Sequence, residues 1–251
     1  MKVQDFYQAI DRLAPFDTAA SWDNAGLLLG SSDKEVKNVL LCLDVTDREL
    51  ELVRANKIDL VITHHPVIFH AVKSLCPDDV CWRLIEAGCA VISAHTNLDK
   101  APGGVNDTLC NVLGLQYKKC PDTVAEGFLN VGVLPKYTTP LQLARMIAEK
   151  LGAHVRYLPA EGKLRKIAVC AGAGGDLYAE AAAEGCDALI TGDADYHDFL
   201  NAKEKGVCLF AVGHFETENM IAGKLKAKLE TVLPEANYFV SDREAPIKTV
   251  K

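Results

Sequence analysis

The 251-residue chain has no run of about eighteen apolar residues, no excess of basic residues, no Cys-x-x-Cys pair and no low-complexity stretch. Each absence removes a class of function. Without the apolar run there is no segment to cross a membrane as a helix. The formal net charge of −7 argues against a nucleic-acid partner, whose phosphates are held by clustered Lys and Arg. The nine cysteines are odd in number and scattered, so a reduced set is expected rather than a disulfide framework or a thiolate zinc site. Cys42, Cys89, Cys170 and Cys208 fall in apolar strand-like runs, where a thiol packs as a small hydrophobe. The opening MKVQDFYQAIDRLAP places Asp5 and Asp11 within a helically spaced apolar pattern. That pattern fits neither a signal peptide nor a transit peptide, and the expected location is the cytosol. Hydrophobic residues make up 49% and charged residues 24%, ample for one large core or two smaller ones.

What stands out is a set of histidines placed just after apolar runs. Cys89–Asp99 reads CAVISAHTNLD and Cys208–Glu218 reads CLFAVGHFETE. Each puts an acid four residues after a histidine: His95 with Asp99, and His214 with Glu218. A third run, Asp59–Thr63 (DLVIT), delivers His64 and His65 ahead of Pro66. Imidazole and carboxylate are the donors that hold borderline divalent metals. Two adjacent imidazoles would burden a core, because each buried ring needs polar partners. Consecutive side chains diverge on a regular strand, so the pair either sits on irregular backbone or feeds two adjacent metals. His214 and Glu218 share one face if a helix begins at His214. Asp99 is a ligand candidate, and His95 is either a ligand or a residue that orients one.

The surrounding pattern repeats. VLLCLD (Val39–Asp44) answers to IAVCAG (Ile167–Gly172), and helical stretches follow at Asp47–Asn56 and Asp176–Glu184. DLVITHH (Asp59–His65) then pairs with DALITGD (Asp187–Asp193). Further helices follow near Asp78–Ala87 and Asp195–Lys205, before the two His-x-x-x-acid endings. Strands alternating with helices of about ten residues predict an α/β fold: two similar, interlinked lobes with largely parallel sheets. Ligands then bind beyond the carboxyl ends of the strands, where the histidines fall. The soft boundary between lobes is expected near residue 125, giving 1–125 with His64, His65 and Asp99, and 126–251 with His214 and Glu218. The second lobe begins with a small β-α-β insertion: a strand at Phe128–Val133, a helix from Pro140 with Thr139 as N-cap and Gly152 beyond its end, and a strand at His154–Leu158. A helix over Asn219–Leu233 and a strand over Ala236–Val240 close the chain.

Other segments carry weaker signals. Ser21–Gly30 (SWDNAGLLLG) is either a loop that closes over a ligand, with Trp22 and Asn24 as substrate-binding candidates, or a surface turn leading into a strand. His197, in GDADYHD, is a further candidate for lining a pocket. Asp193 reads as a cap or turn acid. Ala171–Asp176 (AGAGGD) either offers backbone N–H groups to phosphate or lets a helix pack closely on a sheet. It lacks the Walker lysine and the full dinucleotide fingerprint. His70 and His154 have no supporting pattern.

Taken in order, DLVITHHPVIF, SAHTNLDKAPGGVND, ITGDADYHD and GHFETE, with SWDNAGLLLG near the start, resemble the YbgI-like or NIF-three-like family of dinuclear metal-centre proteins, which also goes by the name GTP cyclohydrolase I type 2. The likeness runs over nearly the whole chain. It implies His64, His65, Asp99, His214 and Glu218 as metal ligands with His95 close by, and a toroidal homohexamer with its metal sites facing a cavity. Five donors with only two carboxylates suit two divalent ions sharing one bridging acid, and Glu218 reaches further than Asp99. Zinc, iron, manganese, cobalt and nickel all fit such a donor set. Two ions held this way can carry a hydroxide for hydrolysis. The expected function is therefore a metal-dependent hydrolase of a purine nucleotide, by resemblance GTP, opening the imidazole ring of guanine with release of formate. The same metals would serve a phosphoesterase, or a metal-binding scaffold without catalysis.

Overall fold

The chain begins with α1 (Val3–Leu13), where Val3, Phe6, Ala9 and Ile10 recur at helical spacing and are all buried. In the computed structural model, which describes residues 1–247, this helix belongs to the first of two units. That unit comprises Met1–Pro102 and Ile221–Glu244, and the second comprises Gly103–Met220 with residues 245–247.

The first unit continues through β1 (Gly26–Leu29), β2 (Asn38–Cys42), α2 (Asp47–Ala55), β3 (Leu60–Thr63), α3 (Val80–Glu86), β4 (Ala90–Ser93) and the one-turn α4 (Thr96–Lys100). Strands β2, β3 and β4 are parallel, in a register that aligns Val39, Leu60 and Ala90. β1 adds antiparallel to β4. β3 and β4 are buried along their whole length, as parallel strands covered on both faces require. Leu40, Val61 and Val91 pack with Leu50, Val53 and Leu84 of the covering helices. Helix α2 starts in a reciprocal cap: the Thr46 N–H donates to Glu49 Oε2 at 2.8 Å.

The second unit holds α5 (Val105–Leu113), β5 (Gln116–Lys119), β6 (Asn130–Thr138), α6 (Pro140–Leu151), β7 (Arg156–Tyr157), β8 (Leu164–Cys170), α7 (Tyr178–Ala183), β9 (Ala188–Thr191), α8 (Tyr196–Glu204), β10 (Cys208–Ala211) and α9 (His214–Glu218). Its sheet runs β5-β6-β8-β9-β10-β7. The central β8, β9 and β10 are parallel and align Ile167, Ala188 and Cys208. Alternate residues divide cleanly: Ile167, Val169, Ile190 and Phe210 pack on one face, and Ala168, Leu189 and Leu209 on the other. Helix α6 starts as its sequence predicts, with Gln142 N–H donating to Thr139 Oγ1 and Pro140 in its first turn.

The repeat extends to side chains. Thr63 and Thr191 end β3 and β9, and Cys42 and Cys170 end β2 and β8. Asp59 accepts hydrogen bonds from the N–H groups of Lys37 and Asn38 at 2.9 and 3.0 Å. Asp187 does the same for Arg165 and Lys166 at 2.7 and 2.8 Å. In each unit an aspartate ahead of the second strand thus satisfies two backbone donors where the first strand begins.

The chain then returns. α10 (Met220–Val232) leads to β11 (Asn237–Val240), which pairs parallel to β2 and completes the order β1-β4-β3-β2-β11. The units therefore divide after Pro102 and after Met220, not near residue 125. Two pairings move the break. β5 and β6 join antiparallel to each other and then to β8, so residues 103–125 belong with the second sheet, while β11 belongs with the first. The expected β-α-β insertion is likewise part of that sheet: β6 flanks β8, and β7 flanks β10 antiparallel. Among the described residues no helix is long and apolar enough to cross a membrane. All nine cysteines are unbridged.

Candidate metal centre

In the first unit, β3 ends at Thr63, whose hydroxyl donates to Leu43 O at 2.9 Å and lies 3.0 Å from His65 O. The chain turns there, and the His64 and His65 rings lie 5.0 Å apart at 45° rather than on opposite sides. Both residues stand on bends beyond the strand rather than on regular strand backbone. His95 follows β4 and caps α4, with its ring 5.2 Å from His64 and 5.6 Å from His65. Each of the three imidazoles offers a nitrogen within 4.8 Å of the others. Asp99, one turn beyond His95 on α4, approaches His64 Nε2 at 3.4 Å through Oδ1. That oxygen is buried without a hydrogen bond.

In the second unit, β10 runs into Gly213, and α9 places His214 and Glu218 four residues apart. His214 Nε2 lies 3.1 Å from Glu218 Oε2, and the Glu218 side chain is almost wholly buried. The glycine-rich turn after β8 explains how the carboxylate fits. A Cβ on Gly172 would collide with Glu218 Oε1. The N–H groups of Gly172 and Gly174 donate to the hydroxyls of Thr217 and Thr191 at 3.2 and 2.9 Å. Of the two readings of AGAGGD, these contacts realise close packing.

The repeat also shows why the donor sets differ. Gly192 stands where the first unit has His64. A Cβ there would fall 2.6 Å from Gly172 O and 2.9 Å from His214 Cα, so no side chain fits. Asp193 stands where the first unit has His65, and it faces His214 instead.

One arrangement recurs at four histidines. His64 Nδ1 meets Ala94 O at 2.9 Å. His65 Nδ1 meets Asp44 Oδ1 at 2.6 Å, His95 Nδ1 meets Asp23 Oδ1 at 2.8 Å, and His214 Nδ1 meets Asp193 Oδ2 at 2.7 Å. Carbonyl and carboxylate oxygens only accept, so Nδ1 carries the proton in each ring and the neutral tautomer directs its lone pair through Nε2. Metal-binding histidines are oriented in this way. In both units Nε2 then faces a carboxylate oxygen at 3.1–3.4 Å. That is the spacing of two ligands of one ion with bonds of about 2.0–2.2 Å. The donors fit a divalent cation.

The orienting acids are themselves fixed. Burial alone would raise the Asp23 carboxyl, yet hydrogen bonds from His95 and Thr96 outweigh it and hold the group at about 2. Thr96 gives Asp23 both its hydroxyl, at 2.5 Å, and its N–H, at 3.1 Å. Burial likewise opposes ionisation of Asp44, and His65 and Arg243 bring it below the usual carboxylate range.

The remaining candidates fall as follows. Trp22 is 55% exposed, and its ring centroid lies 6.3 Å from His95 and 6.1 Å from Phe69, itself 42% exposed. Asn24 donates its amide to Ile68 O at 2.6 Å, tying the Trp22 loop to the segment carrying Phe69. His197 is exposed on the first turn of α8, its ring against Tyr196. Sequence reasoning passed over Asp23 and Asp44 and favoured a plain turn role for Asp193. Asp44 and Asp193 do stand just beyond parallel strands, but that position does not say which histidine each meets, and Asp23 precedes β1 with no such mark.

Comparison with known proteins follows the same lines. Residues 1–246 match the family model described as Duf34/NIF3 (NGG1p interacting factor 3). A Clostridium perfringens protein named GTP cyclohydrolase 1 type 2 homolog is 32% identical, over 98% of this chain and 97% of its own length. A Helicobacter pylori protein named GTP cyclohydrolase 1 type 2 is 30% identical, over 95% of this chain and 94% of its own. The crystal structure of Staphylococcus aureus protein SA1388 superposes with a TM-score of 0.89 at 27% identity, covering 100% of this chain and 99% of that one.

Proposed function

The chain belongs to the Duf34/NIF3 family, and from that premise we propose that it is a divalent-metal hydrolase acting on a purine nucleotide. His64, His65, Asp99, His214 and Glu218 are the proposed ligands of two ions, with His95 as a further donor. The observation that carries the reading is the common setting of four histidines, each with Nδ1 on an acceptor oxygen, and, at His64 and His214, Nε2 facing a carboxylate oxygen. Divalent ions held by such donors supply Lewis acidity and lower the pKa of water, the chemistry that hydrolysis of an unactivated ring or ester needs.

The chain's own residues contribute position and selection. Asp23, Asp44 and Asp193 fix three rings, and the Ala94 carbonyl fixes the fourth. Trp22 and Phe69 leave two large aromatic faces exposed beside His95, held together through Asn24 and Ile68. Such faces bind a planar heteroaromatic ring by stacking, which favours a base over an aliphatic substrate. The names of the Clostridium and Helicobacter relatives support GTP as the first nucleotide to try. By resemblance, the chain forms a homohexamer, which equilibrium sedimentation checks.

The test is to supply metal-loaded protein with GTP and assay formate and a pterin precursor. Formation of both, lost in His64→Ala, is the expected result. No product above the His64→Ala background rejects the reading. Release of phosphate without formate reassigns the same site to phosphoester hydrolysis.

A further inference from the structure

Asp44 divides its two oxygens. Oδ1 accepts from His65 Nδ1 at 2.6 Å, and Oδ2 accepts from Arg243 Nη2 at 2.5 Å. Arg243 lies just beyond β11, about two hundred residues from its partner in sequence. Its place there follows from the sheet. β11 pairs with β2 so that Asn237 faces Asn38, and Ser241 N–H continues the ladder to Leu41 O at 3.0 Å. Arg243 and Asp44 are separated by 199 residues, the same offset as Asn237 and Asn38. The salt bridge is therefore the strand register carried three residues past its end. The segment is fastened on either side of this register as well. Ser241 Oγ donates to the buried Glu49 Oε1 at 2.6 Å, and Asp242 pairs with Arg48.

A carboxylate that orients a histidine must not rotate. Asp23 is held by two donors from Thr96. For Asp44 the corresponding holder is Arg243, whose side chain is only 17% exposed. A guanidinium pre-organises its N–H groups toward a carboxylate in a way that a lone ammonium does not. We infer that Arg243 is a positioning residue for the metal centre, acting through Asp44 to fix the His65 ring for coordination through Nε2. The inference rests on the reading of His65 as a metal ligand.

Cobalt(II) titration of the full-length protein, followed by its visible spectrum, tests it with four variants. Arg243→Met weakens cobalt binding on the order of tenfold, the low end of the range for outer partners of metal-bound histidines. Arg243→Lys restores part of that loss, because an ammonium still reaches Asp44 without the fork. Arg48→Met breaks the neighbouring exposed clamp of the same segment and leaves affinity within about twofold. His65→Ala weakens binding more than any of these. Equal losses in Arg48→Met and Arg243→Met would reduce Arg243 to an anchor of the segment and overturn the inference. So would wild-type affinity in Arg243→Met when His65→Ala is weakened. If His65→Ala itself binds cobalt normally, the metal reading of His65 fails, a separate outcome. Should Arg243→Met not fold, nitrogen-15 imidazole spectra of the metal-free wild type and Arg243→Lys decide. The wild type must hold His65 as the Nδ1–H tautomer, and Arg243→Lys must show it less completely. An Nε2–H tautomer in the wild type overturns the inference.

Discussion

At the scale of single residues, the orienting acids matter as much as the donors. Asp23→Asn keeps the shape of the side chain but removes the charge that His95 and Thr96 face. Isothermal titration with zinc should show affinity lowered about 10–100-fold, with unchanged circular dichroism. The same residue makes stability depend on acid. Unfolded, Asp23 takes up its proton near 3.8; folded, near 2. Between those values the unfolded chain binds more protons, so stability falls as pH falls. Urea melts of the metal-free protein should show the wild type losing its advantage over Asp23→Asn as pH drops from about 4 toward 2. Gly172→Ala should weaken metal binding by a different route, pushing the Glu218 carboxylate from its niche. The histidines were legible in the sequence because imidazole has few other reasons to cluster. The acids were not, because Asp23 reaches His95 across 72 residues and Asp44 reaches His65 across 21. Such a contact exists only once the sheet order is known.

At the scale of elements, the repeat was readable because periodicity and burial agree. LVIT, AVIS, ALIT and CLFA are apolar but for a hydroxyl residue at the end of the first three, and all four are fully buried parallel strands. The two β-α-β-α-β runs and the capped α6 follow from patterns of that kind. The break between units did not, because it depends on which edges β5, β6 and β11 join, and an edge pairing leaves no local mark. The aspartates ahead of β3 and β9 offer a symmetric test. Asp59→Ala and Asp187→Ala each strand two backbone donors at the start of a neighbouring strand. Each should cost about 1–3 kcal/mol in urea unfolding. A loss in one unit only would show that the duplicated motif has kept its role in one copy.

At the scale of the whole molecule, eight of the nine thiols are buried and Cys76 alone is exposed. Burial also pushes the Cys110 and Cys208 thiols up to about 12. A thiol reagent at neutral pH should therefore label one cysteine quickly in the native protein, at Cys76, and all nine after denaturation. The route of the chain has a consequence for biosynthesis. β2 gains its outer neighbour only when β11 arrives, after the whole second unit. On the ribosome the first sheet must wait with one edge unpaired, a hazard for association with other nascent chains. The same late segment brings Arg243 to Asp44. A chain cut short before Ser241 would thus have made nearly every side chain of the first unit's histidine cluster and still lack the contact that steadies it.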